Sequence, residues 1–585
     1  MKSSCLWALL CAALAPPAIA DTTFKVGLGA GCTHSTIQSA LDAAANDGNQ
    51  PSLILLTRSL SYTNQALRIN DPESVELRGG FERCSDAEAS GGYTRIDGAG
   101  GTAQSVIAVV GSYRSRVRLA ALEITGGDAE NHEYGGGVYA RHGGILAIVA
   151  SSIHGNRAGY GGGVAIDGNG TVLQLGDDVL IYSNSAYSEG GGGYCRQGAV
   201  QLRAQGSGFL DNNALGEGGG LRLNQCDADL AGNGPLNAGV LYGNTAYHGA
   251  GLSVSNAKVR IYSLWAQTPN RIAYNRATSN GGGLLLRNAA SVTLWDTLIE
   301  GNSANRGAAG YAYNDTVADP RIRLRSARNR DAGTPAAAVP CVSGTQCNRV
   351  TGNIARASGT GPGEGAAFYF DWSSPTGCNF PFSCFWPEGF VAEADLLDAQ
   401  LDRNSGNSLI YFRQHYDHYA IAQSLIVANS VTDALIKTGD DDTVWISQTT
   451  ISGNTVSGPL VRSPHLDLRC AIVNQTGVIH QGSGTRNAQF VLVPNTTQLP
   501  SSTSVFQGVP RFIGPASDNY RLYAGGERFD PIPSIGIDIA SACGPFQQVG
   551  DLDGLSRPVD IQAAANQFGT IDLGPYEARP TLISF

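Results

Sequence analysis

Asparagine recurs along this chain with a fixed set of neighbours. In "NRAGYGGGVAI", which starts at Asn156, it is followed by a small residue and then a glycine run. Relatives of this stretch start at Asn184, Asn212, Asn244 and Asn275. The series continues through Asn302, Asn353, Asn404, Asn429, Asn454 and Asn474. Three residues before these stand Ile153, Ile181, Phe209, Leu241, Ile272, Ile299, Val350, Leu401, Ile426, Ile451 and Ala471, all but the last large and apolar. Two residues after them the side chain is never large, as at Ala158, Ala186, Ala214 and Ala246. An apolar position returning at a steady interval is a core rung of a repeat array. Between asparagines, "TVLQL" and "VTLWDTLI" alternate in twos, which is strand periodicity.

An interval of this length fits one coil of a parallel β-helix with three short strands and three turns. Stacked coils lie about 4.8 Å apart, as in any β-ladder. Asparagines repeated at one corner then stack amide on amide and satisfy buried polar groups. The glycines allow left-handed backbone at the turn, and the small residues avoid a clash. Two intervals, Asn302 to Asn353 and Asn353 to Asn404, are longer and carry insertions near residues 325–347 and 371–389. The stretch "STIQSALDAAAN" from Ser35 reads as an amphipathic helix whose Ile37, Leu41 and Ala44 share a face, suited to plug the N-terminal end.

Residues 1–20 read as a secretory signal: Lys2, an apolar run from Cys5 to Ala15, and Ala18-Ile19-Ala20 as cleavage site. The rest divides into residues 21–100 (N-terminal cap and first coils), 101–495 (β-helix with insertions) and 496–585 (C-terminal coils and capping tail). No later run is long and apolar enough to span a membrane. A net charge of −10 argues against a non-specific nucleic-acid partner. Ten cysteines follow the signal, an even number suited to disulfides in an oxidising compartment. The spacing pairs Cys341 with Cys347 and Cys378 with Cys384 as local staples, and Cys195 with Cys226 between neighbouring coils. Cys32, Cys84, Cys470 and Cys543 remain, and sequence leaves the connectivity open.

Several of these segments carry a resemblance. "CTHSTIQSALDAA", "LRGGFERC" (Leu77 to Cys84) and the Asn/Gly coils resemble secreted bacterial right-handed β-helix proteins of the pectate-lyase-like superfold. The coils are also similar to the repeats of polymorphic outer-membrane proteins. The tail "DLDGLSRPVD...GTIDLGPYE" (Asp551 to Glu577) is similar to the ending of the choice-of-anchor group. The resemblance implies secretion and an all-β fold: a single-stranded right-handed parallel β-helix, a three-sheet solenoid with an N-terminal α-helical cap. It implies no single activity, because this superfold hosts lyases, hydrolases and adhesins.

Two stretches suggest chemistry. Eleven residues after Asn404, Asn429 and Asn454 stand His415, Asp440 and His465; thirteen after stand Asp417, Asp442 and Asp467. Both intervals are 25, so the six are expected to stack on one face as a column His/Asp/His beside a column Asp/Asp/Asp. Three aligned carboxylates repel unless a cation binds or a proton is shared. Asp417, Asp442 and Asp467 could hold Ca²⁺, and with the histidines the six could supply a general acid and base for glycoside cleavage. The plainer account is solvated turn residues, aligned because the coils are alike. The second stretch is "DWSSPTGCNFPFSCFWPEGF" from Asp371, whose Trp372, Phe382, Phe385 and Trp386, with Arg413 nearby, suit sugar stacking or a protein interface.

The expectation is therefore a secreted extracellular or cell-surface β-helix protein. It binds a polysaccharide or a cell-surface protein in the manner of an adhesin, without obvious catalysis and with no cofactor beyond a candidate Ca²⁺. The alternative is a polysaccharide lyase or glycoside hydrolase acting on one surface face.

Overall fold

The computed structural model describes residues 22–524 apart from 48–50, 71–73, 100–103, 111–115, 130–132, 142, 234–239, 264–268, 315–320, 326–347, 358–360, 373–393, 398, 414–418, 440–442 and 518, then residues 536, 540, 543 and 571–576. The chain winds as a parallel β-helix. The coil around Asn184 shows the pattern, with strands Thr171–Leu175, Val179–Tyr182, Ser185–Glu189 and Gly193–Arg196. Each pairs in parallel with its counterparts on the coils before and after.

Among the described residues, stacking these strands builds three sheets of 29, 10 and 14 strands, the expected three-sheet solenoid. The largest holds two ladders per coil, joined where His465–Asn474 belongs to both. A two-stranded antiparallel pair, Phe512–Gly514 with Asn519–Leu522, lies outside the coils.

The asparagines run through the interior as a continuous hydrogen-bonded column. Asn184 Nδ2 donates to Asn212 Oδ1 (3.1 Å) and to the Ile153 carbonyl of the preceding coil (2.9 Å), and its backbone N–H donates to the same Asn212 Oδ1 (3.0 Å). The pattern repeats from Asn156 to Asn429. Asn156 Oδ1 takes the Gly127 N–H at one end, and at the other the Asn454 N–H reaches Gln475 Oε1. All ten asparagines from Asn156 to Asn454 are buried.

The sequence series extended one step too far. Val473 rather than Ala471 lies opposite Ile451, which places Asn474 opposite Ser452 and off the column. The longer side chain of Gln475 bridges the offset.

The residue before each of these ten asparagines is left-handed, with φ between 51° and 67°. Glycine holds five of those sites. Ser183, Asp211, Tyr274, Arg403 and Ala428 hold the others, each accepting a cost of about 1 kcal/mol. In the glycine run, a Cβ on Gly162 would lie 2.2 Å from the Ser185 carbonyl of the next coil, and one on Gly163 would lie 2.9 Å from Asn184 Nδ2. Glycine is there because the next coil's backbone and the amide column fill the space.

A second corner repeats the device with hydroxyls. Ala150 and Gly206 are left-handed, and the following Ser151 and Ser207 accept the N–H of Leu122 and Val179 on the coil before.

The helix spans Ile37–Ala45, and its Thr36 cap accepts the Ser39 N–H. Ile37, Ala40, Leu41 and Ala44 join the same apolar cluster as the coil interior. Among the described residues three disulfides are present: Cys32–Cys84, Cys195–Cys226 between neighbouring coils, and Cys470–Cys543. Cys341, Cys347, Cys378 and Cys384 lie outside the described residues. The described tail residues pack beside the last coils, with Leu522, Ala540 and Leu573 against Ile472 and Leu492, and Tyr520 and Tyr576 against Leu425 and Val427.

Asn275→Ala removes one rung and strands the Asn244 donors inside the core. It is expected to lower unfolding stability by about 3 kcal/mol in guanidinium denaturation. Asn474→Ala, off the column, is expected to cost less than about 1 kcal/mol.

Candidate functional site

Of the six residues of the expected His/Asp columns the structure places His465 and Asp467; His415, Asp417, Asp440 and Asp442 lie outside the described residues. His465 sits opposite Thr443 and Asp467 opposite Trp445, a step of 22 residues. Just upstream, Val461 and Arg462 sit opposite Ile436 and Lys437, a step of 25. The stretch from Arg462 to His465 is therefore three residues shorter than the one from Lys437 to Thr443, and the expected step of 25 does not hold at His465 and Asp467.

Asp467 is buried and pairs through both oxygens with Arg469 (2.9 and 3.0 Å). His465 Nδ1 accepts the Thr485 N–H (2.9 Å). Both have structural employment. Among the described residues no cluster of three His, Cys, Asp or Glu could hold a metal ion.

Of the expected binding residues, Phe382, Phe385 and Trp386 lie outside the described residues, as does the Trp372 side chain. Arg413 leads to a different face. Its Nη1 is 3.1 Å from Asp371 Oδ2, beside Tyr311, whose Oη donates to the same carboxylate (2.8 Å). These residues lie on the outer face of the 14-stranded sheet. Strand alternation turns Leu221, Leu223, Leu252 and Val254 inward and leaves Arg222, Asn224, Ser253 and Ser255 outward. Parallel register then stacks Tyr194, Arg222, Ser253, Leu285, Tyr311, Tyr369 and Tyr411 in one outer column.

Two tyrosine groups flank a polar centre. At one end Tyr134 stacks on Tyr160 (5.1 Å between ring centres), Tyr160 meets Tyr194 (5.2 Å), and Arg196 lies over Tyr134 while pairing with Asp167. At the other end Tyr311 stacks on Tyr369 (5.1 Å), Tyr369 meets Tyr411 edge-on, and Arg306 and Lys437 lie over Tyr369 and Tyr411. Burial and the neighbouring Glu189 push the Tyr194 hydroxyl up to about 12. Burial and Asp371 push Tyr311 and Tyr369 up as well.

Between these groups Ser253 and Ser255 are small, and charged side chains converge above them. Arg222 is 1% exposed. Its Nε faces Glu189 Oε2 (3.1 Å) and Glu217 Oε2 (3.3 Å), and its other nitrogens donate to the Leu223 carbonyl and Ser255 Oγ. Glu217 also takes Arg287 Nη1 (2.9 Å) and the Ser253 hydroxyl (2.8 Å).

Along one border of this centre runs an exposed apolar ridge. Tyr187, Leu215 and Tyr247, on three consecutive coils, are 42%, 65% and 52% exposed. Each follows a buried alanine of the 10-stranded sheet, and each precedes Glu189, Glu217 or His248 by one or two residues.

Offsets counted from the asparagine miss this face because the turns after it differ in length. Counting from the left-handed glycine that opens each glycine-rich turn finds it: the fourth residue after Gly135, Gly161, Gly190, Gly218, Gly249, Gly281, Gly307 and Gly365 is Tyr139, Ala165, Tyr194, Arg222, Ser253, Leu285, Tyr311 and Tyr369.

The fold and this face define a parallel β-helix carrying an aromatic and charged strip along one sheet. No protein-family profile and no curated protein matches the sequence. Among solved structures, YbhC of Escherichia coli shows 13% identity over 51% of this chain and 76% of its own, with a TM-score of 0.24, a likeness too slight to bear on fold or activity.

Arg222→Met leaves Glu189 and Glu217 facing each other without their shared cation. It is expected to destabilise the chain by about 3 kcal/mol in guanidinium denaturation, and adding Glu217→Gln is expected to recover part of the loss.

Proposed function

We propose that this is a secreted β-helix protein that binds an extended polysaccharide along the outer face of its 14-stranded sheet. The observation that carries the reading is the exposed Tyr187/Leu215/Tyr247 ridge beside the charged centre built on Arg222. The ridge advances one side chain per coil, about 4.8 Å, which suits a polymer of repeating units. Aromatic faces stack on the apolar faces of sugar rings, while arginines and carboxylates fix hydroxyl and carboxylate groups. The signal-like N-terminus and three disulfides suit an extracellular setting. The resemblance to pectate-lyase-like and choice-of-anchor proteins points the same way. The aromatic-rich insertion follows directly on Phe368–Trp372, a strand of this sheet next to Arg413, and belongs to the same reading.

A second reading, glycoside cleavage, rests on one feature: Glu189 and Glu217 are carboxylates from adjacent coils that converge on one guanidinium. Glycosidases place two carboxyl groups about the scissile bond. Against it, Glu217 is held by two arginines and a serine hydroxyl.

Calorimetric titration with polygalacturonate, alginate, xylan and β-glucan tests the binding reading. At least one is expected to bind, and Tyr187→Ala/Tyr247→Ala is expected to weaken it about tenfold or more with unchanged folding. Absence of binding to all four, or an unaltered affinity in the double variant, contradicts the reading. New reducing ends or unsaturated-product absorbance would transfer it to cleavage.

A further inference from the structure

Among the described residues, His248 is the one imidazole beside the charged centre. It stands in register with Glu217 of the coil before, and the Asn280 N–H of the coil after points at its Nδ1 (3.3 Å). Its ring is half-buried and packs edge-on against Tyr247 of the ridge (4.4 Å between ring centres). A backbone N–H can only donate, so Nδ1 is the acceptor and the ring proton of the neutral form sits on Nε2. Nε2 has no hydrogen-bond partner among the described residues. The side chain thus combines a tautomer fixed by the fold, an unused donor, and a place where the apolar ridge meets the polar centre.

We propose that His248 is a specificity-determining residue of this face, whose Nε2–H donates to an acceptor oxygen of the bound glycan, and that protonation of Nδ1 releases the ligand. The proposal rests on the polysaccharide reading above and names the group that makes it pH-dependent. A proton on Nδ1 would face the Asn280 N–H, two donors in one place, so the ring would have to turn and Nε2 would leave its position. The charged groups around the imidazole are Glu217 on the coil before and Arg287 on the strand beyond, with Arg222 and Glu189 further along the centre.

Burial holds the imidazole below its ordinary value of 6.5; Glu217 opposes that shift and Arg287 adds to it. The sign follows. A ligand that binds only neutral His248 keeps full affinity above the folded-state pKa. It loses about tenfold for each pH unit below it. The window therefore lies under pH 6.5.

The test uses the full secreted chain and whichever of the four polysaccharides binds it, titrated at pH 7.5 and pH 4.5. Wild type is expected to bind more weakly at the lower pH. His248→Gln keeps an N–H near the Nε2 position and cannot titrate, so it is expected to bind similarly at both. His248→Ala is expected to bind weakly at both, with an unfolding midpoint close to wild type. The ¹⁵N shifts of the His248 ring at pH 7.5 are expected to show the Nε2–H tautomer. If His248→Ala keeps wild-type affinity and pH profile while Tyr187→Ala/Tyr247→Ala loses binding, this inference fails and the polysaccharide reading stands. If wild type binds none of the four, both fail.

Discussion

One asparagine amide per coil holds this molecule in register. Its oxygen takes two N–H groups from the coil before, and its nitrogen donates to the next asparagine and to a carbonyl of the coil before. In an apolar interior, each of those groups would otherwise be an unsatisfied cost of about 1–3 kcal/mol. A slip of a single residue between coils would break several such bonds at once. The left-handed residue before each asparagine and the glycines after it follow from this constraint: the first turns the amide inward, and the second clear room for it. Side chains such as Tyr274 and Arg403 accept left-handed backbone because the amide bonds offset its cost.

With the interior fixed, the exterior can vary, and register turns single substitutions into columns. On the 14-stranded sheet the outward position changes from tyrosine to arginine to serine, then to leucine and back to tyrosine. The serines open space at the centre, and the arginines and glutamates of adjacent coils close over it. Burying Arg222 between two carboxylates does little for a solenoid that could carry an apolar residue there, as Leu285 shows two coils away. The charge centre, the tyrosine groups and the exposed ridge are the places where local stability yields to something else, which is why the functional reading rests there.

Most of the architecture was legible from the sequence because it depends on interior residues repeated at near-constant offsets. The ten asparagines, the apolar rungs before them and the helix face of Ile37, Leu41 and Ala44 all occupy such positions. Asn474 was misread because a two-residue slip at the last coil leaves the local motif intact. His465 and Asp467 leave the expected step of 25 for a related reason: that step is counted from the asparagine, and the stretch between Arg462 and His465 is shorter than the one between Lys437 and Thr443, so the count drifts before it reaches the next sheet. Arg413, named with the aromatic insertion, belongs to a real cluster by way of Asp371. Residues counted from the glycine run, which directly enters the 14-stranded sheet, keep their register.

Everything outside the coils depends on the amide column inside them, and side-chain hydrogen exchange observes that column directly. On protein labelled with ¹⁵N at asparagine, the Nδ2 protons of Asn184 through Asn429 should exchange only as fast as the whole chain unfolds. Exchange of those protons at the rate of solvent-exposed asparagine, under conditions where the backbone stays protected, would contradict the account.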